Sequence, residues 1–94
     1  MTDKTVHGVI EGLVQAVGFR YWTAREAEAL SLRGWVRNRW DGTVEVLFAG
    51  PEAAVDAMVD ACHQGPPAAQ VARVLTQPAE APTDGDGFHC LPTE

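Results

Sequence analysis

The stretch WVRNRWDGTVEVLFA, residues 35–49, predicts two β-strands joined by a tight turn. Asp41-Gly42 is a strong hairpin signal, because the central positions of such a turn favour residues that tolerate a positive φ. Trp35 to Trp40 forms the predicted strand before the turn. Thr43 to Ala49 forms the strand after it. There, every second position from 44 to 48 is a large apolar residue: valine, valine and phenylalanine. A β-hairpin is therefore expected at the middle of the chain.

Each arm of this hairpin is flanked by a segment with helical periodicity. Before it, a helix is predicted to begin at Phe19 and to stop before Gly34, since glycine commonly ends helices. Its apolar stripe recurs at spacings of four, four and three, at Phe19, Thr23, Ala27 and Leu30. After the hairpin, Gly50-Pro51 opens a second helix, which is predicted to end before Gly65. The stripe of this helix is formed by Ala54, Val55, Met58, Val59 and Cys62.

The outermost segments complete the pattern with strands. Val6 to Val14 is rich in β-branched residues and predicts a first strand, and Gln70 to Leu75 predicts a fourth strand. Residues 78–87 are turn-rich and predict a loop, and Phe88 to Leu91 predicts a short fifth strand. The order strand-helix-strand-strand-helix-strand is the ferredoxin-like split βαβ arrangement. We therefore expect an α+β fold in one domain, residues 1–94, with two helices on one face of a mainly antiparallel sheet.

Charge is distributed unevenly along the 94 residues, whose formal net charge is -6. Residues 20–39 are nevertheless positive, because five arginines there outnumber two glutamates. An acidic chain is a poor nucleic-acid binder, since affinity for the phosphate backbone rests on many cationic contacts. A single small anion needs only a local positive site. We therefore expect no nucleic-acid partner, and a small anion as a possible ligand.

The sequence lacks the segments that direct a chain to a membrane or out of the cell. No apolar run approaches the ~20 residues that a membrane helix needs, and Met1-Thr2-Asp3-Lys4-Thr5 is unlike the start of a signal peptide. A cytoplasmic protein with no membrane partner is expected. Cys62 and Cys90 have no metal-binding spacing. Two buried thiols are the favoured interpretation, and a Cys62–Cys90 bridge is left open.

The segment Gly12-Leu13-Val14-Gln15-Ala16-Val17-Gly18-Phe19-Arg20 leads from the first strand into the first helix. A helix N-terminus offers unpaired N–H groups and a partial positive charge, and so favours anions. Gly18 allows a ligand to approach the backbone closely. Arg20 lies in the first turn, where the helix dipole disfavours a cation. From these residues alone, an anion site and a merely structural turn are about equally well supported.

The same segment, extended through Tyr21-Trp22, resembles the signature of the acylphosphatases, which reads G-x-V-Q-G-V-G-F-R followed by an aromatic residue. Gly34-Trp35-Val36-Arg37-Asn38 resembles the second signature of that family. The hairpin Asp41 to Val46 and the run Gly65-Pro66-Pro67-Ala68 also fit it. The resemblance covers nearly the whole chain in order.

This resemblance implies hydrolysis of a small-molecule acyl phosphate to a carboxylate and inorganic phosphate. The two catalytic positions then fall on Arg20 and Asn38. The phosphate cradle falls on Gln15, Ala16, Val17, Gly18 and Phe19. No metal or cofactor is implied, and we expect a monomer.

One residue departs from the family pattern, because Ala16 stands where the family usually has glycine. If this residue adopts a left-handed conformation, alanine costs ~1–2 kcal/mol there. The cradle is then strained, which would affect its affinity for phosphate more than the activity itself.

Residues near these positions have simpler structural explanations. Arg37 and Arg39 alternate away from Asn38 along the predicted strand and are expected to face elsewhere. Asp41 and Thr43 are interpreted as turn residues. The three tryptophans are interpreted as packing residues rather than a substrate cage, and a place at the site entrance is left open as the less favoured alternative for Tyr21 and Trp22.

Three other classes of function share this fold or this site. RNA-binding domains use the same element order, but they carry an aromatic-basic signature that Thr43 to Phe48 lacks. A module that senses phosphate or a carboxylate without catalysis is a second alternative. An acylphosphatase-like domain that serves a larger enzyme is a third, and the short chain argues against it. Free-standing hydrolysis is favoured because both catalytic positions are filled.

Overall fold

The predicted order of helices and strands is confirmed. The computed structural model describes residues 2–82 and 86–94. Within these residues the elements are β1 (Asp3–Leu13), α1 (Phe19–Ala29), β2 (Arg33–Asn38), β3 (Val44–Pro51), α2 (Glu52–Cys62), β4 (Gln70–Pro78) and β5 (Phe88–Cys90). Of the loop predicted at 78–87, residues 83–85 lie outside the described residues.

The five strands form one sheet in the order β4-β1-β3-β2-β5, in which every neighbouring pair is antiparallel except β2 and β5. The central strand β3 is buried from Val44 through Gly50. Both helices cover one face of the sheet, and the opposite face carries polar and charged side chains around Glu45. The apolar core between helices and sheet includes Phe19 and Ala27 of α1, Val55, Met58 and Cys62 of α2, and Ile10, Val36, Val46 and Phe48 of the strands.

The second strand lies at Arg33–Asn38, two residues earlier than the sequence predicts, which is Trp35 to Trp40. Arg39 already belongs to the turn, where its N–H donates to the Thr43 oxygen at 2.9 Å and its own oxygen accepts from Gly42 at 3.1 Å. This shift makes Asn38 the last residue of β2.

The end of α1 also differs from the prediction, since Ser31 and not Gly34 closes the helix. Ser31 has a φ of 57°, and the N–H groups of Ser31 and Leu32 donate to the oxygens of Glu28 and Ala27. These are the two hydrogen bonds of a Schellman motif. Gly34 lies inside β2, where an added Cβ would come within 1.8 Å of the Leu47 oxygen. The glycine is therefore required by close contact between β2 and β3.

The two edge strands differ in length from the prediction. β4 continues through Pro78, because it pairs with β1 as far as Val6, whereas β5 ends one residue early, at Cys90.

The prediction that both cysteines are buried is wrong. Both thiols are free, but only Cys62 is buried, and Cys90 is exposed. Burial raises the pKa of the Cys62 thiol to about 12.

Candidate active site

The loop between β1 and α1 turns through two residues with positive φ. Ala16 has a φ of 61° and Gly18 a φ of 79°. Such left-handed residues point successive backbone N–H groups toward one side, which is how loops build anion-binding concavities. Gly18 is also the N-cap of α1, and among the residues that the structure describes no side chain caps this helix end. The N–H groups of the first turn are therefore available to a ligand.

Ala16 therefore adopts the left-handed conformation, which is unfavourable for alanine. A left-handed conformation costs a residue with a Cβ atom roughly 1–2 kcal/mol relative to glycine. The rest of the fold holds Ala16 in this conformation despite that cost. The left-handed conformation that would strain this loop is therefore present at Ala16.

The candidate site is a cavity of about 180 Å³ at this loop. It is lined by Val14, Ala16, Gly18, Phe19, Arg20, Tyr21 and Asn38. Arg20 and Asn38 belong to different motifs and different elements, and the fold brings them to the same cavity. Their meeting follows from the contact of α1 with β2.

Arg20 is half-buried in the first turn of α1. Arg37, Arg39 and Arg73 each form ion pairs with glutamates. Within residues 2–82 and 86–94, no carboxylate pairs with Arg20. A guanidinium left without a carboxylate, beside uncapped N–H groups, provides a positive site for a small anion.

Asn38 is half-buried at the end of β2 and lies on the same face of that strand as the buried Val36. This is the face covered by α1, so the Asn38 side chain borders the cavity and not the open face of the sheet. An amide can donate with its NH2 group and accept with its oxygen. The cavity therefore combines a cation, backbone donors and a neutral amide.

Two of the predicted cradle residues do not line this cavity. The Gln15 side chain turns toward the β2–β3 turn, where Nε2 donates to the backbone oxygens of Arg39 at 2.6 Å and Thr43 at 2.9 Å. Val17 lines a second cavity instead. Gln15 therefore attaches the loop to the hairpin, and Val17 contributes to the neighbouring surface.

The second cavity adjoins the first, because Gly18 and Tyr21 line both. It is open and has a volume of about 680 Å³. Apolar and aromatic residues dominate its lining, among them Val17, Tyr21, Trp22, Pro66, Pro67 and Phe88. Tyr21 is 71% exposed and lies where the two cavities meet, which is the entrance position that the sequence left open for it. Its place directly after Arg20, in the uncapped first turn, was the signal available in the sequence.

The two arginines that flank Asn38 face away from the cavity, as predicted. Arg37 Nε and Arg39 Nη1 donate to Glu45 Oε1 at 2.7 and 3.1 Å, and His7 contacts the other carboxylate oxygen. Burial would raise the pKa of Glu45, but hydrogen bonds from His7, Arg37 and Arg39 outweigh burial and lower the pKa to about 2. Arg37 and Arg39 are therefore neutralised on the opposite face of the sheet.

Metal binding and membrane spanning are two further properties that side-chain clusters and helix lengths decide, in the part of the chain that the structure describes. There, no three residues among His, Cys, Asp and Glu come together as metal ligands would. No helix in the same residues has the length and apolar character to cross a membrane.

Comparison with known proteins agrees with the fold and identifies the family. The family model described as Acylphosphatase matches residues 6–90. An acylphosphatase from Nitrobacter hamburgensis is 53% identical over 98 aligned positions, covering 99% of each chain. A solved acylphosphatase from Bacillus subtilis has a TM-score of 0.87 at 36% identity, over 93% of this chain and 97% of that one. An acylphosphatase from Coxiella burnetii has a TM-score of 0.89 at 30% identity, over 95% and 93%. The chain therefore belongs to the acylphosphatase family, and it is a hydrolase of that family.

Proposed function

We propose that this chain hydrolyses acyl phosphates by holding the phosphate with the loop of residues 15–19 and Arg20, while Asn38 orients the attacking water. The observation that carries the proposal is that Arg20 and Asn38 line one cavity with the uncapped start of α1. Family membership supports the reaction. The cavity supports the division of roles between these residues.

The phosphate is bound by charge and by backbone donors. Phosphoryl transfer spreads charge over the equatorial oxygens, so catalysis consists mostly of positioning and electrostatic stabilisation. The planar guanidinium of Arg20 can bind two of these oxygens at once. N–H groups of the loop and of the first turn of α1 bind the remaining oxygens. Gln15 acts through its two hydrogen bonds to the hairpin, which hold the loop in place.

The leaving group requires no protonation. It is a carboxylate whose parent acid has a pKa near ~4, so it departs as a stable anion at neutral pH. The reaction can therefore proceed without a general acid and without a metal ion to stabilise the leaving oxygen. Water must still approach in line with the bond that breaks. Asn38 can accept a hydrogen bond from this water with its amide oxygen and donate one to the phosphate with its NH2 group. As the water oxygen bonds to phosphorus and the bond to the leaving carboxylate breaks, a phosphate oxygen of the substrate takes the proton of the water.

The acyl group extends into the second cavity in this arrangement. That cavity adjoins the phosphate cavity at Gly18 and Tyr21, and its lining is mainly apolar. A volume of about 680 Å³ is ample for an aromatic or aliphatic acyl group. Its open shape is consistent with several acyl phosphates being accepted.

The test is steady-state hydrolysis of benzoyl phosphate by the full chain, with and without EDTA. We expect turnover that the chelator leaves unchanged and that inorganic phosphate inhibits competitively. If circular dichroism shows that the protein is folded but no turnover is measured, the proposed hydrolysis is contradicted, and a module that only binds phosphate is favoured. Turnover that EDTA abolishes and a metal ion restores would contradict the metal-free route.

A further inference from the structure

The backbone of Asn38 is held from two sides, and only one of them belongs to the hairpin. On one side Asn38 pairs with Val44 of β3. On the other side β5 pairs with β2 only as far as Val36, which is opposite Cys90. The last residue of β2 would therefore have an unpaired edge if the chain left the sheet after β5.

The segment after β5 covers this edge. The Leu91 N–H donates to the Val36 oxygen at 2.9 Å, which continues the parallel pairing by one step. The Glu94 N–H then donates to the Asn38 oxygen at 3.0 Å, and the Trp40 N–H donates to the Glu94 backbone oxygen at 3.2 Å. Glu94 is thus bonded to the main chain on both sides of Arg39, at the point where β2 ends.

The Glu94 side chain makes a third contact, on the opposite face of the sheet. Its Oε2 accepts from Arg37 Nη1 at 2.6 Å, while Arg37 Nε donates to the buried Glu45. Arg37 also stacks on Trp35 at 4.7 Å from the ring centroid. The Glu94 carboxylate is 71% exposed, and exposed ion pairs stabilise weakly. The hydrogen bonds of the Glu94 backbone are therefore the stronger link to Asn38.

We propose that Glu94 is a positioning residue for Asn38, which fixes the end of β2 so that the Asn38 amide stays directed into the cavity. This inference rests on the proposed role of Asn38 in orienting water. The groups that bind phosphate lie on the β1–α1 segment and have no bond to Glu94. Loss of the Glu94 contact should therefore slow turnover and leave phosphate binding intact, because a small misplacement of a catalytic group lowers the rate steeply.

The experiment removes one N–H group. Glu94→Pro abolishes the donor to Asn38, whereas Glu94→Ala keeps that donor and removes only the carboxylate. We expect Glu94→Pro to lower kcat for benzoyl phosphate about tenfold, within the ~10² that a displacement of 1 Å can cost. We expect an inhibition constant for inorganic phosphate within twofold of that of the parent protein. Glu94→Ala should lower kcat less than threefold.

A double-mutant cycle separates positioning from general destabilisation. If Glu94 acts through Asn38, Glu94→Pro costs nothing further in a chain that already carries Asn38→Ala. If the two losses multiply, or if Glu94→Pro leaves kcat unchanged, the proposal is overturned. It is also overturned if kcat and phosphate affinity fall together, since the proline then disturbs the whole site.

A readout without turnover distinguishes this proposal from the proposed function. The side-chain 15N–1H resonances of Asn38, assigned by their absence in Asn38→Asp, should shift in Glu94→Pro and stay in place in Glu94→Ala. Unmoved resonances would overturn the positioning role whatever Asn38 does. Shifted resonances combined with full activity of Asn38→Ala would instead overturn the catalytic role of Asn38, and positioning for catalysis would fall with it.

Discussion

The Gln15 side chain donates a hydrogen bond from Nε2 to the backbone oxygen of Thr43 at 2.9 Å. The other Nε2 proton is directed to the backbone oxygen of Arg39 at 2.6 Å. Gln15 belongs to the loop before α1, whereas both oxygens belong to the turn that follows Asn38. One side chain therefore joins the segment proposed to bind phosphate to the segment that carries the amide proposed to orient water.

Replacing Gln15 by leucine should loosen this connection with little change in size. Two hydrogen bonds are lost, and each oxygen keeps only its bond within the turn. We expect the free energy of unfolding to fall by about 1–3 kcal/mol, with kcat and phosphate affinity both reduced. Urea denaturation and steady-state kinetics measure these effects. Gln64→Leu, at an exposed position, is the control and should change stability by less than about 0.5 kcal/mol. Equal stability of the two variants would contradict the role assigned to Gln15.

Replacing Arg20 by alanine should abolish most of the turnover while the fold survives. An arginine that stabilises the transferring phosphoryl group can contribute on the order of 10³–10⁵ in rate. Arg20→Lys should remain badly impaired, because an ammonium group cannot bind two oxygens with fixed geometry. Arg73→Ala removes a cation on β4 that pairs with Glu11 and serves as the control. Retention of more than a tenth of the turnover by Arg20→Ala would show the assignment to be wrong.

Replacing Asn38 by alanine should separate catalysis from binding. If Asn38 acts on water alone, kcat falls by a factor on the order of 10²–10³, as for loss of one positioned donor. The inhibition constant for inorganic phosphate stays nearly constant. Asn38→Asp should be no better than alanine, because it removes the donor and adds a negative charge near the phosphate. A parallel loss of rate and phosphate affinity would identify Asn38 as a phosphate ligand.

Replacing Ala16 by glycine should relieve the conformation observed at this position. The φ of 61° costs alanine about 1–2 kcal/mol, while glycine gives back part of this through a more flexible unfolded chain. We expect an active enzyme, a free energy of unfolding raised by up to about 1 kcal/mol, and tighter phosphate binding. Gly18→Ala is the matched opposite change, because an added Cβ there meets no atom within 4 Å and only the φ of 79° opposes it. That variant should be less stable, and stabilisation by both changes would refute the argument from φ.

Glu45 should make stability depend on pH in acid. Its pKa is lowered from 4.5 to about 2 in the folded state, so its contribution is complete above about pH 5 and is lost as the pH falls toward 2. This contribution is on the order of 3 kcal/mol. Glu45→Gln should be less stable at neutral pH and should lose this part of the pH dependence, as followed by urea unfolding between pH 2 and 7. Glu26→Gln, on the exposed side of α1, should retain the profile of the parent protein.

Local sequence was sufficient for the order of the elements and for the residues of the two motifs. The Asp41-Gly42 turn depends on near neighbours, since Asp41 Oδ1 accepts from the N–H of Thr43 at 3.0 Å and from its hydroxyl at 2.6 Å. The helical stripes also depend on spacing alone, and Phe19, Thr23 and Ala27 are buried as their spacing predicts. Properties of this kind are set within one turn or one strand, so they can be predicted before the chain is folded.

The tertiary structure decided which partners those residues meet. Glu45 lies in a strand that the sequence predicts, but its burial depends on Arg37 from β2 and His7 from β1. Gln15 was assigned to the cradle by position, but its hydrogen bonds depend on the hairpin coming near. The position of each residue in the sequence was enough to assign Gln15 to the loop before α1 and Glu45 to a strand. Contacts between segments distant along the chain form only when the sheet assembles, so only the folded structure determines where the side chains of Gln15 and Glu45 point.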